Sequence, residues 1–319
     1  MMPKVISLRP LKDFYDLDVY PSKDITVMEL GASSTLLKQE ILKSDGIILP
    51  AVGSKLDSSL FEGSKIKLIQ VTGAGFDRLN VAELSALGIP VANIPGGSAS
   101  AVSEYVVSVA LSLLRNLNYC TKSIIKGEYS SLRNEIISAG INQLSGLTVG
   151  IIGYGKIGRS VHDAFEFFGA NVKFYDPFVK GGCELNDVLR DADLVSVHVP
   201  LSDETKNLLG NNELKLLKSG AILINASRGG IVPEELIVQL LNQNHLGGAA
   251  IDVFYEEPVP IQNCFLKLND KAAQRIILTP HLAGISRQAW RTLFEKSWAN
   301  IEKVVLNNAV PEFVVNNNE

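Results

Sequence analysis

Short apolar runs alternate with amphipathic stretches along almost the whole chain. In the first 97 residues the apolar runs are Val5–Leu8, Ile25–Leu30, Gly46–Pro50, Lys67–Thr72 and Val91–Ile94. Each is short and bounded by turn residues, as a buried strand would be. Between them, Ser33–Leu42 and Val81–Leu87 repeat apolar residues at helical spacing, with Ser33 or Ser34 placed to cap the first. Strand and helix in alternation predict a parallel sheet with helices on its faces. Two glycine-bearing loops interrupt the pattern at strand ends: Val71-Thr72-Gly73-Ala74-Gly75-Phe76-Asp77 and Asn93-Ile94-Pro95-Gly96-Gly97-Ser98.

Ala99–Leu117 is long, apolar and free of glycine and proline, but Glu104 and Arg115 interrupt it. It reads as a buried connecting helix and not a membrane span. Residues 119–146 are more polar, and the pattern leaves open whether they cover the fold or form a dimer arm. The alternation then resumes. Strands are expected at Leu147–Ile152, Asn171–Tyr175, Leu194–Val199, Ala221–Ala226, Gly248–Val253 and Ile276–Leu278. Helices fall between them, including Glu184–Leu189, Asn212–Leu217 and Pro233–Asn242, with Pro233 in the first turn. A final helix, Ser286–Leu306, carries Trp290, Leu293, Phe294, Trp298, Ile301 and Val305 on one stripe. The predicted fold is α/β, with two doubly wound parallel-sheet domains. One is discontinuous, 1–98 with 287–319; the other is 99–286. A ligand cleft is expected between the halves, at the carboxyl ends of the strands.

The first strand of the second half runs into Gly153-Tyr154-Gly155-Lys156-Ile157-Gly158, a G-x-G-x-x-G turn that opens a helix. The first glycine suits the tight turn, the second close approach of a pyrophosphate, and the third packing of helix on strand. The helix N-terminus offers unpaired N–H groups to phosphate. Asp176 ends the next strand, eighteen residues past Gly158. Its carboxylate would accept from ribose hydroxyls and repel a 2′-phosphate, which predicts NAD and not NADP in a Rossmann-like unit.

Composition narrows the classes further. The chain has 319 residues, a net charge of −4 and 46% hydrophobic residues. It shows no basic footprint for nucleic acid and no signal peptide or membrane segment. Cys120, Cys183 and Cys264 are scattered and lack metal spacing; they read as reduced thiols of a cytoplasmic protein, and no metal is expected. Of the four histidines, His281 follows an apolar strand in Thr279-Pro280-His281 and so sits where ligands bind; His162 reads as packing or surface, His198 as structural, with the cofactor cleft as the alternative, and His245 sits in a turn before Gly247. Arg228, between Ser227 and Gly229, offers a planar fork for a carboxylate. Glu256 and Glu257 precede Pro258, and either one beside His281 would form an acid–base pair whose carboxylate favours the imidazolium. Asp252 ends an apolar strand and needs a partner there, such as a ligand amide.

These blocks resemble the D-isomer-specific 2-hydroxyacid dehydrogenases, the family of D-3-phosphoglycerate dehydrogenase, hydroxypyruvate/glyoxylate reductase and D-lactate dehydrogenase. The resemblance rests on Gly73–Asp77, Gly153–Gly158 with Asp176, Ala226–Val232, Gly248–Pro258 and Thr279–His281. It implies an NAD-dependent enzyme, usually a homodimer, with a substrate domain and an NAD-binding domain. It further implies catalytic Arg228, Glu257 and His281, with substrate carboxylate held by Arg228 and by the loop Gly73, Ala74 and Gly75. Cofactor contacts are implied from Gly153, Gly155, Lys156, Ile157, Gly158, Asp176, Val199, Pro200, Ala226, Ser227, Asp252 and Ala283, with Asp252 on the nicotinamide carboxamide. Pro50 and Val71 stand where members that take 3-phosphoglycerate commonly carry arginines, and no regulatory domain is expected after Glu319. Non-enzymatic NAD(H)-sensing corepressors of the family keep the same three residues, so a binding protein is the alternative. Formate dehydrogenases of the family carry an amide in place of the acid partner, which Glu257 does not match.

Overall fold

The computed structural model describes residues 2–316; Met1 and residues 317–319, which end the two outer expected segments, lie outside the described residues. The chain divides into two compact units, Met1–Ser98 with Ile285–Glu319, and Ala99–Gly284.

The first unit begins with β1 (Lys4–Ser7), α1 (Leu11–Tyr15), β2 (Thr26–Glu29), α2 (Leu37–Ile41), β3 (Gly46–Leu49), β4 (Leu68–Val71), α3 (Val81–Ala86) and β5 (Val91–Ala92). The strands pair in parallel in the order β2-β1-β3-β4-β5. β3 and β4 are buried at every residue, which is why they read as unbroken apolar runs. Helix α2 is shorter than the expected Ser33–Leu42. Its N-cap is Leu36, without a side-chain hydrogen bond, because Ser34 Oγ accepts from Leu36 N–H at 3.3 Å in a local turn instead of capping.

The second unit runs α4 (Ala99–Leu114), α5 (Leu117–Ile125), α6 (Tyr129–Ala139), β6 (Thr148–Ile152), α7 (Lys156–Phe167), β7 (Asn171–Tyr175), α8 (Leu185–Asp191), β8 (Leu194–Val197), α9 (Asn211–Leu214), β9 (Ala221–Asn225), α10 (Glu234–Asn242), β10 (Leu246–Ile251), α11 (Asp270–Ala273) and β11 (Ile276–Leu278). The connecting helix stops at Leu114, short of Leu117, because Asn116 turns left-handed at φ 52° and starts α5. Pro233 lies just outside α10 as its N-cap and not within its first turn. Six parallel strands form one sheet, β11-β10-β9-β8-β6-β7. The order reverses between β6 and β8. In sheets of this kind, ligands lie beyond the strand ends at that point.

The chain returns to the first unit through α12 (Arg287–Val305), capped by Ser286 Oγ on Ala289 N–H at 3.1 Å. Its stripe buries Leu293, Phe294, Trp298, Ile301 and Val305 with Val5, Phe14, Ile48 and Leu68. Phe14 packs on Phe294 and Trp298 at ring-centroid distances of 4.5 and 5.5 Å. Side chains of this size contribute about 1.5–3 kcal/mol each on burial. The closing segment covers the edge of β5: Val315 N–H donates to Val91 O at 2.8 Å, and Asn316 Oδ1 accepts from Val91 N–H at 2.8 Å.

Candidate active site

The glycine turn after β6 has a distinct demand at each glycine. Gly153 has φ 93°, and a Cβ there would lie 2.6 Å from His198 O, where the loop after β8 crosses. A Cβ on Gly158 would lie 2.1 Å from Gly153 O, so the third glycine lets α7 pack on the turn. A Cβ on Gly155, the N-cap of α7, would meet nothing within 4 Å. The backbone at this helix start is therefore open, as a diphosphate cradle requires. Lys156 and Ile157 begin α7. Asp176 is half-buried beside this turn. Its Oδ2 accepts from Tyr154 N–H at 2.7 Å and its Oδ1 from Phe178 N–H at 2.9 Å. Tyr154 stacks on Phe174 at 3.7 Å and lies under Arg159 at 4.5 Å.

The other strand ends of the unit bring the charged residues together. After β11, His281 holds a left-handed backbone at φ 54°, and its N–H donates to Asp252 O at 2.7 Å. Such a conformation costs a non-glycine residue of order 1–3 kcal/mol and persists only where neighbours fix it. Here the fixing group is Asp252, 1% exposed. Its Oδ1 accepts from Thr279 Oγ1 at 2.6 Å and Leu282 N–H at 2.8 Å, and its Oδ2 from Ala283 N–H at 2.8 Å. The partner that an acid in this strand needs is thus supplied by the chain itself. Tyr105 of α4 completes the set, with its hydroxyl 2.6 Å from Thr279 Oγ1; burial pushes this phenol up to about 12. Because Thr279 donates its single proton to Asp252, Tyr105 is the donor to Thr279.

His281 Nδ1 lies 2.8 Å from Glu257 Oε2, and the second carboxylate oxygen, Oε1, accepts from Phe254 N–H at 2.9 Å. Burial pushes the Glu257 carboxyl up. The hydrogen bonds from His281 and Phe254 and the charges of His281 and Arg228 outweigh it, and the net displacement is below the usual carboxylate range. An ionised Glu257 only accepts, so His281 carries its proton on Nδ1, and Nε2 is the nitrogen left for a ligand. Glu256 is exposed and takes no part. Arg228 is half-buried, with Nη1 donating to Ser227 O at 2.7 Å. Ala226 and Ser227 precede it at the end of β9, and Val199 and Pro200 follow β8.

The loop of Gly73, Ala74 and Gly75 belongs to the first unit. Gly73 O accepts from Ile94 N–H at 2.8 Å, and Ala74 O from Asn93 Nδ2 at 2.7 Å. A Cβ on Gly73 would lie 2.9 Å from Ala51 Cβ. His198 forms a 2.8 Å contact with Ser196, and burial pushes its imidazole down to about 3, so it stays neutral. Sequence reasoning missed four supporting groups: Asn93, Tyr105, Asn225 and Glu234. Asn225 Oδ1 accepts from Ser227 N–H and its Nδ2 donates to Arg228 O, at 3.2 and 3.0 Å. The available signal was a polar residue closing a buried apolar strand.

The family model for the D-isomer specific 2-hydroxyacid dehydrogenase NAD binding domain matches residues 107–283. The chain belongs to this family. As a D-isomer specific 2-hydroxyacid dehydrogenase it is an NAD-dependent oxidoreductase, and the open glycine turn fits that cofactor. It is 35% identical over 242 residues to a glycerate dehydrogenase of Methylorubrum extorquens, covering 75% of this chain and 76% of that protein. It is 32% identical over 304 residues to a D-3-phosphoglycerate dehydrogenase of Methanocaldococcus jannaschii, covering 91% of this chain but only 56% of that protein. The fold matches a D-lactate dehydrogenase of Aquifex aeolicus with a TM-score of 0.82 at 23% identity, over 99% of this chain and 100% of the other. Among the described residues, no helix is long and apolar enough to cross a membrane.

Proposed function

We propose that the chain interconverts a D-2-hydroxy acid and its 2-oxo acid, with a substrate of the hydroxypyruvate/glyoxylate or 3-phosphoglycerate type. The observation that carries this reading is the 2.8 Å pair of His281 Nδ1 and Glu257 Oε2 at the carboxyl edge of a sheet whose glycine turn suits NAD. In reduction, NADH supplies the hydride. His281, protonated on both nitrogens, gives its Nε2 proton to the substrate carbonyl oxygen; in oxidation, neutral His281 accepts the hydroxyl proton at the same atom. Glu257 holds the ring and stabilises the imidazolium. Arg228 takes the substrate carboxylate through its planar fork and polarises the carbonyl. In the first unit, the N–H groups of Ala74 and Gly75 are the candidates for binding a substrate carboxylate. Gly153, Gly155, Gly158, Lys156 and Ile157 hold the pyrophosphate, and Asp176 the adenosine ribose. Val199, Pro200, Ala226, Ser227 and Ala283 would line the bound cofactor, and Asp252, which braces the His281 loop, would be the residue for its nicotinamide carboxamide.

The same reading makes the units a substrate domain and an NAD-binding domain, and the protein a cytoplasmic homodimer. Exposed Leu117, Ile124, Ile125, Tyr129 and Ile137 on α5 and α6 support a dimer arm, and three unbridged cysteines suit a reducing compartment. The deciding experiment is an NADH-oxidation screen with glyoxylate, hydroxypyruvate, pyruvate, phenylpyruvate and 3-phosphohydroxypyruvate. Turnover of at least one is expected. NADH binding without turnover of any would favour the binding-protein alternative.

A further inference from the structure

We propose that Glu234 is a positioning residue of the reaction, a buried clamp that fixes the loop carrying Glu257 against the loop carrying Arg228. The proposal rests on the reading of Glu257 and His281 as a catalytic pair. Glu234 opens α10 and is 9% exposed, whereas its neighbour Glu235 is exposed. An acid in a helix's first turn is favoured by the helix dipole, but it gains that from the surface. Burial of a carboxylate needs dedicated donors. Glu234 has them in a segment remote along the chain. Its Oε1 accepts from Tyr255 N–H at 2.6 Å, and its Oε2 from Asn263 Nδ2 at 2.8 Å.

The turn Phe254–Glu257 therefore presents two successive N–H groups to two different carboxylates. Phe254 N–H goes to Glu257 Oε1, and Tyr255 N–H goes to Glu234 Oε1. The peptide between them is also pressed from a third side. A Cβ on Gly229 would lie 2.0 Å from both the carbonyl carbon and oxygen of Phe254, and 2.4 Å from Tyr255 N. Gly229 follows Arg228, and Glu234 lies further along the same segment. One peptide plane is thus held between Gly229 and Glu234. Glu257 takes its orientation from the N–H next to that plane. If the plane is released, the Glu257 carboxylate loses the register that places Oε2 on His281 Nδ1.

The test is a double-mutant cycle of Glu234→Ala and Glu257→Gln. It reads kcat/KM for glyoxylate reduction with NADH from pH 5 to 9, NADH binding by fluorescence quenching, and thermal stability. Glu234→Ala is expected to lower kcat/KM by about 3–5-fold, chiefly in kcat, with NADH affinity within about twofold of wild type. It should shift the falling limb of the pH profile in the same direction as Glu257→Gln. In the Glu257→Gln background it should cost no more than about a further twofold, because both changes act through one pair. Glu234→Gln, which keeps the shape but sets an amide N–H₂ against the donors on one side, Tyr255 N–H or Asn263 Nδ2 with the weak Cys264 Sγ–H at 3.9 Å, should lose less in the same direction. It stands in for the alanine variant if that fails to fold. Losses that multiply in the double variant, or an unchanged pH limb, would overturn the clamp while leaving the pair intact. A Glu257→Gln enzyme with wild-type rate and profile would overturn the pair itself, and the clamp with it.

Discussion

At the carboxyl edge of the first sheet the loop after β4 offers backbone: Gly73, Ala74 and Gly75, tethered through Asn93 and Ile94. At the carboxyl edge of the second sheet, the loops after β9, β10 and β11 offer charged side chains: Arg228, Glu257 and His281. Counted within each unit, the strands follow the same order, 2-1-3-4-5, with a sixth added to the second sheet. The architecture is thus shared and the chemistry is not. Each of these three groups has a brace of its own: Asn225 for the Arg228 turn, Phe254 N–H for Glu257, and Asp252 for His281. A parallel sheet delivers loop ends to one edge, and the buried polar residues at the strand ends decide whether those loops can hold charge in place.

This contrast predicts different kinetic signatures from the two edges. His281→Ala should have the largest effect, a loss of about 10²–10⁴-fold in kcat/KM in both directions with NADH binding retained. Steady-state rates beside fluorescence titration check it, and an equal loss of NADH affinity would place His281 in the cofactor site instead. Glu257→Gln comes next, with a loss on the order of tenfold at neutral pH and a displaced profile. On the proposed mechanism reduction needs protonated His281 and oxidation needs it neutral. Without the anion that favours the imidazolium, the falling limb of reduction moves to more acidic pH, and oxidation persists to lower pH. Because the Glu257 carboxyl is held low in the folded protein, the pair's contribution to stability is complete above the ordinary carboxylate range. It is lost as pH falls through the depressed value. A limb that stays put would reduce Glu257 to a steric support.

A change at the first unit should look unlike either of these. Asn93→Ala removes the 2.7 Å tether on Ala74 and should raise KM for the oxo acid by about fivefold, the equivalent of about 1 kcal/mol, with kcat and NADH affinity little changed. A fall in kcat without a change in KM would erase the distinction between the edges. The smallest effect is expected at Asp176. Asp176→Ala should narrow the preference for NADH over NADPH, measured as the ratio of kcat/KM values, at a modest cost in stability from the two N–H groups it leaves unpaired. Equal use of both cofactors by the wild type would remove Asp176 from that role.

Much of this arrangement is legible without coordinates, for a physical reason. Parallel strands buried on both faces must be unbroken apolar runs, so β3, β4, β8 and β9 announce themselves, and the residue after each run is at the ligand edge. That logic marks Arg228 after β9 and Gly153 after the equally apolar β6, whereas His281 follows the shorter, partly exposed β11. Helix limits were less legible, because Ser34 spends its hydroxyl in a turn and Asn116 breaks the connecting helix by a left-handed backbone that its neighbours do not forecast. The braces were not legible at all. Glu234 looks like an ordinary acid at a helix start, and nothing local reveals that Tyr255 and Asn263 will meet it. Asp252 reads as a group awaiting a ligand, because the donors that satisfy it arrive from the loop after another strand.

The order of elements has a consequence for synthesis. The second unit is one continuous segment, and its last strand, β11, has been made by Leu278. The first unit has all five strands by Ala92, yet β1, β3 and β4 bury their apolar face under α12, the final helix. On the ribosome the unit begun first therefore finishes last. Its five-stranded sheet must wait, with Val5, Phe14, Ile48 and Leu68 uncovered, while nearly two hundred residues of another domain are made, and transiently uncovered apolar surface of this kind invites misassociation.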